Sequence, residues 1–376
     1  MENIQMVDLK TQYLNIKEEI DRAVLDCIAS TEYINGAKVK EFQQHLEAYL
    51  DVQHVIHCAN GTDALQIALM ALGLQPGDEV IVPTFTYVAT AEVIALLHLK
   101  PVMVDVYPDT FNISLEHCER VITTKTKAIV PVHLFGQSAD MERIVTFAEK
   151  HHLFVIEDAA QAIGADYFFK NGTSKKVGTI GDIGSTSFFP SKNLGCYGDG
   201  GALFTNNDQY AEMLRMVANH GQKKKYYHSV VGVNSRLDTL QAAILDVKLK
   251  YLDVYAKNRQ KVALGYDEAF KDLRDIKTPF RSPFSTHVFH QYTLQLPIGI
   301  REDFQRFMHE KKIPTMIYYP LPLYEQEAFK DPNVNSADFP VTNELCQRVI
   351  SLPIHTEMKS QTLDYICSSV LNFFSK

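Results

Sequence analysis

Between residues 79 and 156 the chain alternates short apolar runs with helix-length stretches, and this narrows the folds open to it more than any other feature. The runs at 80–82, 102–104, 128–132 and 154–156 are dominated by Val and Ile, and the segments 87–97, 115–122 and 141–150 between them read as helices. Strands that are apolar throughout, rather than at every second residue, are buried on both faces, which requires a parallel sheet covered by helices. Ligands of such sheets collect where the carboxyl ends of the strands leave the core.

The flanking sequence extends this pattern. Ile16, Ile20, Val24 and Ile28 fall at helical spacing, and a turn at Tyr33-Ile34-Asn35-Gly36 leads into a second amphipathic segment around Val39, Phe42 and Leu46. The apolar run 55–58 reads as a further strand, followed by a turn at 59–63 and a helix over 64–72. After a return strand at 202–204, Arg236 precedes a long helical run whose stripe of Leu240, Ile244, Val247, Tyr251 and Val254 continues towards Tyr266. A chain of 376 residues exceeds one compact core. Two domains are expected, a large one over 1–250 and a smaller α+β one over 251–376, divided near Lys250.

Bulk properties exclude several classes. The net charge of −8 argues against a nucleic-acid surface, although Lys223, Lys224 and Lys225 form a local basic run. That run either meets a phosphorylated ligand or is a solvated loop. No stretch of about 20 apolar residues is present to span a membrane. The N-terminus, with Glu2, Asp8 and Lys10, has no apolar leader core, so a cytoplasmic protein is expected. Six scattered cysteines and fourteen histidines show neither CxxC nor HExxH spacing, and no metal site is expected.

Four features sit at strand ends. Lys192, in Ser187-Phe188-Phe189-Pro190-Ser191-Lys192, is delivered into a turn closed by Gly195, Gly198, Gly200 and Gly201. A lysine so presented is either an ordinary surface residue or a partly desolvated amine nucleophile. Gly61 and Thr62 open a helix whose N–H groups suit a phosphate, unless Asn60 or Thr62 simply caps it. Tyr87 offers an aromatic plane, and Asp158 either caps a helix or aims a fixed anion at a cationic ring. Together the four match what pyridoxal 5′-phosphate requires: phosphate anchor, stacking partner, anion for the ring nitrogen and amine for the Schiff base.

The segments CANGTDALQIAL, PTFTYVATAE, PVHLFGQSAD, VIEDAAQAIGA, TSFFPSKNLGCYGDGGALFTN and GVNSRLDTLQAAIL make the chain resemble the DegT/DnrJ/EryC1/StrS sugar aminotransferases. These are fold-type I, aspartate-aminotransferase-like α/β enzymes. The resemblance implies Lys192 as the Schiff-base lysine, Asp158 at the ring nitrogen, Gln161 at the ring hydroxyl and Tyr87 stacked on the ring. It also implies Gly61, Thr62 and Ser187 at the phosphate, with Asn234 reaching it from the neighbouring subunit of a homodimer. Dehydratases of the family carry histidine where this chain has Lys192, so the lysine favours transamination. Within the family the likeness is to enzymes that aminate C3 of UDP-2-acetamido-2-deoxy-3-oxo-glucuronate with L-glutamate for lipopolysaccharide O-antigen. His220, Arg236, Tyr319 and the lysines at 223–225 are then candidates for substrate contacts. Amination at C3 or C4 of a dTDP- or UDP-linked keto-deoxysugar stays open, as does a pyridoxal-phosphate-binding regulator without turnover.

Overall fold

The structure, a computed structural model, describes residues 4–375. Helices α1 (Leu9–Asn15), α2 (Lys17–Ser30) and α3 (Ala37–Leu50) open it. There follow β1 (His54–Cys58), α4 (Gly61–Ala71), β2 (Glu79–Pro83), α5 (Ala89–Leu96) and β3 (Lys100–Val104). The alternation continues through α6 (Leu115–Val121), β4 (Thr126–Ile129), α7 (Met141–His151) and β5 (Phe154–Asp158). A small hairpin of β6 (Asp166–Phe168) and β7 (Ser174–Lys176) precedes β8 (Ile183–Ser187) and β9 (Gly201–Thr205).

The seven-stranded sheet has the order β1-β9-β8-β5-β4-β2-β3. The pairs from β8 through β5, β4 and β2 to β3 are parallel, while β9 runs against both β8 and β1. Six strands therefore point one way and β9 the other. Every residue of β2 is buried, as continuous apolar strands demand. One face of the sheet is packed by Leu65, Ala68, Ile94 and Leu214, and the other by Leu115, Ile144, Phe147 and Ala148.

Beyond the sheet come α8 (Asp208–Ala218), a hairpin of β10 (Gln222–Lys224) and β11 (Tyr227–His228), α9 (Thr239–Leu249) and α10 (Leu252–Phe270). The rest contains β12 (Tyr292–Gln295), α11 (Arg301–Glu310), α12 (Pro340–Arg348), β13 (Val349–Leu352) and α13 (Ser360–Phe374). Strands β12 and β13 pair antiparallel, and Tyr266, Phe270, Leu294, Phe304 and Ile366 pack into a core of their own.

Two local expectations change. The helical run after Arg236 is two helices rather than one, because its apolar residues serve two cores lying in different directions. Leu245 and Leu249 pack with Phe42 and Phe188, whereas Val262 and Tyr266 pack with Tyr292, and Val254 is left half exposed. Thr186, Phe188 and Phe189 are β-forming residues that suggest a strand running up to the Lys192 turn, yet the chain leaves the sheet before the two aromatics. Pairing of β8 ends at Ser187 opposite Gly201, after which Phe188 turns into the core and Phe189 faces outward.

Candidate active site

The carboxyl ends of β1, β2, β5 and β8 meet at one edge of the sheet, and the reversed β9 begins there with Gly201 between Cys58 and Ser187. From that edge the Lys192 turn is closed by backbone bonds from Lys192 N to Phe189 O (2.8 Å) and from Cys196 N to Phe188 O (2.8 Å). The Asn193 amide donates to Val288 O at 2.9 Å and anchors the turn to the chain entering β12. The turn is so tight that a Cβ at Gly195 would stand 2.3 Å from Pro190 O. Lys192 is half-buried, and desolvation pulls its ammonium down from 10.5 to about 8, against the attraction of Asp158.

Asp158 closes β5 and is 7% exposed. Its carboxylate accepts from the Thr90 hydroxyl at 3.0 Å and from Ala160 N at 3.1 Å, and the residues that follow form a turn, not a helix that it could cap. Its neighbour Glu157 projects from the opposite face of the strand. There it accepts from His133 Nε2 (2.9 Å) and from the amides of Gly178, Ile180 and Gly181.

The start of α4 lies against the end of β8. Asn60 does cap the helix, accepting from Asp63 N at 2.8 Å, which leaves the Gly61 and Thr62 amides at the open end. A Cβ on Gly61 would fall 2.6 Å from Ser187 Cβ, so only glycine lets the helix approach this closely. The Ser235 hydroxyl donates to Asp63 Oδ2 (2.6 Å) and accepts from Ala59 N (2.9 Å), tying the strap before α9 to the same end.

An aromatic wall completes the edge. Gln161 accepts from Phe135 N at 2.8 Å and donates to the Tyr319 hydroxyl at 3.3 Å. Tyr319 packs edge-on against Phe85 with centroids 5.9 Å apart, and burial pushes its phenol up. Tyr87 is 58% exposed, just ahead of α5 and near enough to Tyr319 to influence its charge.

Lys192, Asp158, Gln161, Tyr319, Tyr87, Gly61, Thr62 and Ser187 are thus assembled by one sheet edge. Of the remaining candidates, Asn234 and Arg236 flank Ser235 beside the start of α4. Asn234 and Arg236 line an open cavity of about 420 Å³ with Ala59, Gly198, Asp199, Asp238 and Gln241. His220 lies at the foot of the β10–β11 hairpin, its carbonyl accepting from His228 Nδ1 at 2.8 Å. In the basic run Lys223 pairs with Glu212 at 2.6 Å, and Lys224 and Lys225 lie over the rings of Tyr227 and Tyr226. Sequence reasoning did not single out Thr90, and read Asn193 only as one of the residues closing the turn. Thr90 sits in the same helical opening as Tyr87, where a hydroxyl one turn from an aromatic was a usable signal; Asn193 offered none beyond its place beside Lys192.

The edge fits pyridoxal phosphate by its own chemistry. It holds a helix opening pressed so closely on Ser187 that only glycine fits at position 61, a buried Thr86 hydroxyl without a hydrogen-bond partner, and an amine of lowered basicity that feels the charge of Asp158. The sheet with its reversed strand and this constellation define an aspartate-aminotransferase-like pyridoxal-phosphate enzyme.

Comparison with known proteins narrows the class. The chain belongs to the DegT/DnrJ/EryC1/StrS aminotransferase family, which matches residues 14–371. It is 46% identical over 376 residues, 99% of each chain, to a "Pleiotropic regulatory protein" of Geobacillus stearothermophilus. It is also 46% identical to a UDP-2-acetamido-2-deoxy-3-oxo-D-glucuronate aminotransferase of Pseudomonas aeruginosa, over 98% of this chain and all of the relative. Among solved structures it resembles NtdA of Bacillus subtilis with bound cofactor PMP, at a TM-score of 0.88 and 30% identity, covering 96% of this chain and 82% of that one. This protein is a pyridoxal-phosphate-dependent sugar aminotransferase.

Proposed function

We propose that the enzyme transfers the amino group of L-glutamate to C3 of UDP-2-acetamido-2-deoxy-3-oxo-D-glucuronate, releasing 2-oxoglutarate, and that its product feeds 2,3-diamino uronic acids of the lipopolysaccharide O-antigen. The observation that carries the reaction is the amine of Lys192, softened to about 8, set against the buried carboxylate of Asp158 at a shared strand edge. The 46% identity to a relative with that substrate supports the choice of sugar.

Bound pyridoxal phosphate supplies an electron sink for the charge left when the donor loses its α-proton. In this reading Asp158, held by Thr90 and Ala160, keeps a positive charge at the ring nitrogen. The neutral Nζ of Lys192 would take the donor's α-proton and deliver it to C4′ of the cofactor, a task suited to a group of lowered basicity. Gln161 meets the ring hydroxyl, and Tyr87 covers the ring. Gly61, Thr62 and Ser187 hold the phosphate from one subunit of a homodimer and Asn234 from the other. His220, Arg236 and Tyr319 contact the nucleotide sugar. The enzyme works in the cytoplasm, and its chain divides near Lys250 into a cofactor domain (1–250) and a smaller domain (251–376). That division is supported by the separate apolar core around Tyr266 and Phe304.

A panel of UDP- and dTDP-linked keto sugars with glutamate, followed by 2-oxoglutarate release, tests the assignment. Turnover confined to a deoxyhexulose rejects the uronate. The regulatory name of one relative favours a second reading, binding without turnover. A cofactor spectrum unchanged by every amino donor would establish it in place of the first.

A further inference from the structure

Lys248 is a buried lysine that the reaction above leaves unused. It lies on α9, is 1% exposed, and has its Nζ hydrogen-bonded to the carbonyl of Gly195, the last residue of the tight turn that carries Lys192. The same Nζ stands 5.4 Å over the ring of Tyr197. Its contacts are a carbonyl and an aromatic face rather than a carboxylate, so burying its charge is costly, and desolvation lowers the ammonium to about 8. A second residue of α9, Gln241, grips the next part of the turn with both ends of its amide. It accepts from Tyr197 N at 2.8 Å and donates to Tyr197 O at 3.3 Å.

The entry side of the turn is held by Asn193 on Val288 O, and the exit side by Cys196 N on Phe188 O and, from outside the turn, by α9. Between these anchors Gly195 faces Pro190 O at a separation no side chain permits, so the turn has little slack. Loss of the Lys248 bond frees the Gly195 carbonyl, and the segment from Ser191 to Gly195 can then shift between its remaining holds at Asn193 and Cys196.

We propose that Lys248 is a positioning residue for the amine of Lys192: by pinning the Gly195 carbonyl from α9 it fixes the direction in which the turn presents that amine to the Asp158 edge. This rests on Lys192 being the reactive lysine, and the two ideas fail in different ways. A turn that loses its hold points Lys192 towards water, where its ammonium regains ordinary basicity. The signature is a rise in the pH at which Lys192 becomes nucleophilic, which a mere loss of stability does not produce in the folded fraction.

The test uses the cofactor-free protein and three variants. Lys248→Met removes the donor, Lys248→Gln carries one on a side chain an atom too short, and Lys248→Arg keeps a cationic donor. Labelling of Lys192 with acetic anhydride, read by peptide mass spectrometry across pH 6–11, gives its titration midpoint. Expected are a wild-type midpoint of about 8, a midpoint higher by a unit or more in the Met and Gln variants, and recovery towards wild type with Arg. After reloading with pyridoxal phosphate, the glutamate half-reaction should slow about tenfold or more in Met and Gln, with the apparent KM for glutamate little changed. If whichever of the Met and Gln variants folds labels Lys192 with the wild-type midpoint, the proposal is overturned. If borohydride fails to trap pyridoxal phosphate on Lys192 in the wild type, the reading of Lys192 falls, and the proposal with it.

Discussion

An ordinary lysine at neutral pH holds a proton that must leave before it can attack a carbonyl, so the environment of Lys192 decides how often it is ready. Because burial lowers its ammonium from 10.5 to about 8, the neutral fraction grows steeply through that lower pH. Attachment of pyridoxal phosphate, measured as borohydride-trapped label, should rise with a midpoint near 8; a midpoint near 10.5 would contradict the site. Lys192→Ala should leave no trapped label although the cofactor still binds. Asp158→Asn should keep the label but cost about 10²-fold or more in turnover, since a fixed counter-charge is lost where charge develops. The same logic gives Lys248 a pH signature. Its native ammonium is depressed, so the unfolded state binds the extra proton between pH 8 and 10.5, and stability increases with pH across that window. Urea denaturation should therefore show wild type gaining on Lys248→Met as the pH climbs from 8 to 10.5, and an opposite trend would remove the buried ammonium from the account. Lys192 and Asp158 were readable because glycines and a strand end advertise them. Lys248 was not, since a lysine in a helical stripe looks solvated until the turn 53 residues away is seen to fold onto it.

At the level of elements, helix α4 matters through its first turn. Gly61→Ala forces a Cβ into Ser187 and should push the helix away from β8. Overpacking of this kind costs about 1–3 kcal/mol. Pyridoxal phosphate affinity, measured by fluorescence titration, should drop more than stability does; equal affinity in the variant would detach the phosphate from this helix. Asn60→Ala, which removes only the cap, should cost about 1 kcal/mol in chemical denaturation. The parallel strands were legible because continuous apolar runs between helices admit few other arrangements. The reversal of β9 was not, because Ala202-Leu203-Phe204 reads alike in either direction, and only its pairing with Ser187 and Cys58 reveals its sense. The break between α9 and α10 was equally hidden: no Gly or Pro marks it, and it exists because two cores compete for one stripe.

For the whole molecule the central question is how many chains make one site. Asn234 is exposed and lines an open cavity with Arg236 and with Ala59, beside the opening of α4. If Asn234 serves the neighbouring subunit, mixing Lys192→Ala with Asn234→Asp should restore about a quarter of wild-type turnover, because half of randomly paired dimers then contain one intact site. No recovery after verified subunit exchange would place each site within a single chain. Sedimentation should give a particle of twice the 42.6 kDa of one chain. Length alone suggested two cores, but the way separate surfaces meet a ligand depends on a partner chain that one sequence does not display.

Because β8 and β9 are adjacent antiparallel strands, the loop bearing Lys192 joins neighbours in the sheet instead of crossing over it. Crossovers absorb extra residues at the surface, whereas a loop clamped by a fixed register at Ser187 and Gly201 and by α9 behind it has nowhere to store them. Among relatives of this enzyme, insertions and deletions should accumulate in the helical crossovers and be rare between those two residues, so that this loop keeps its length while the rest of the chain drifts.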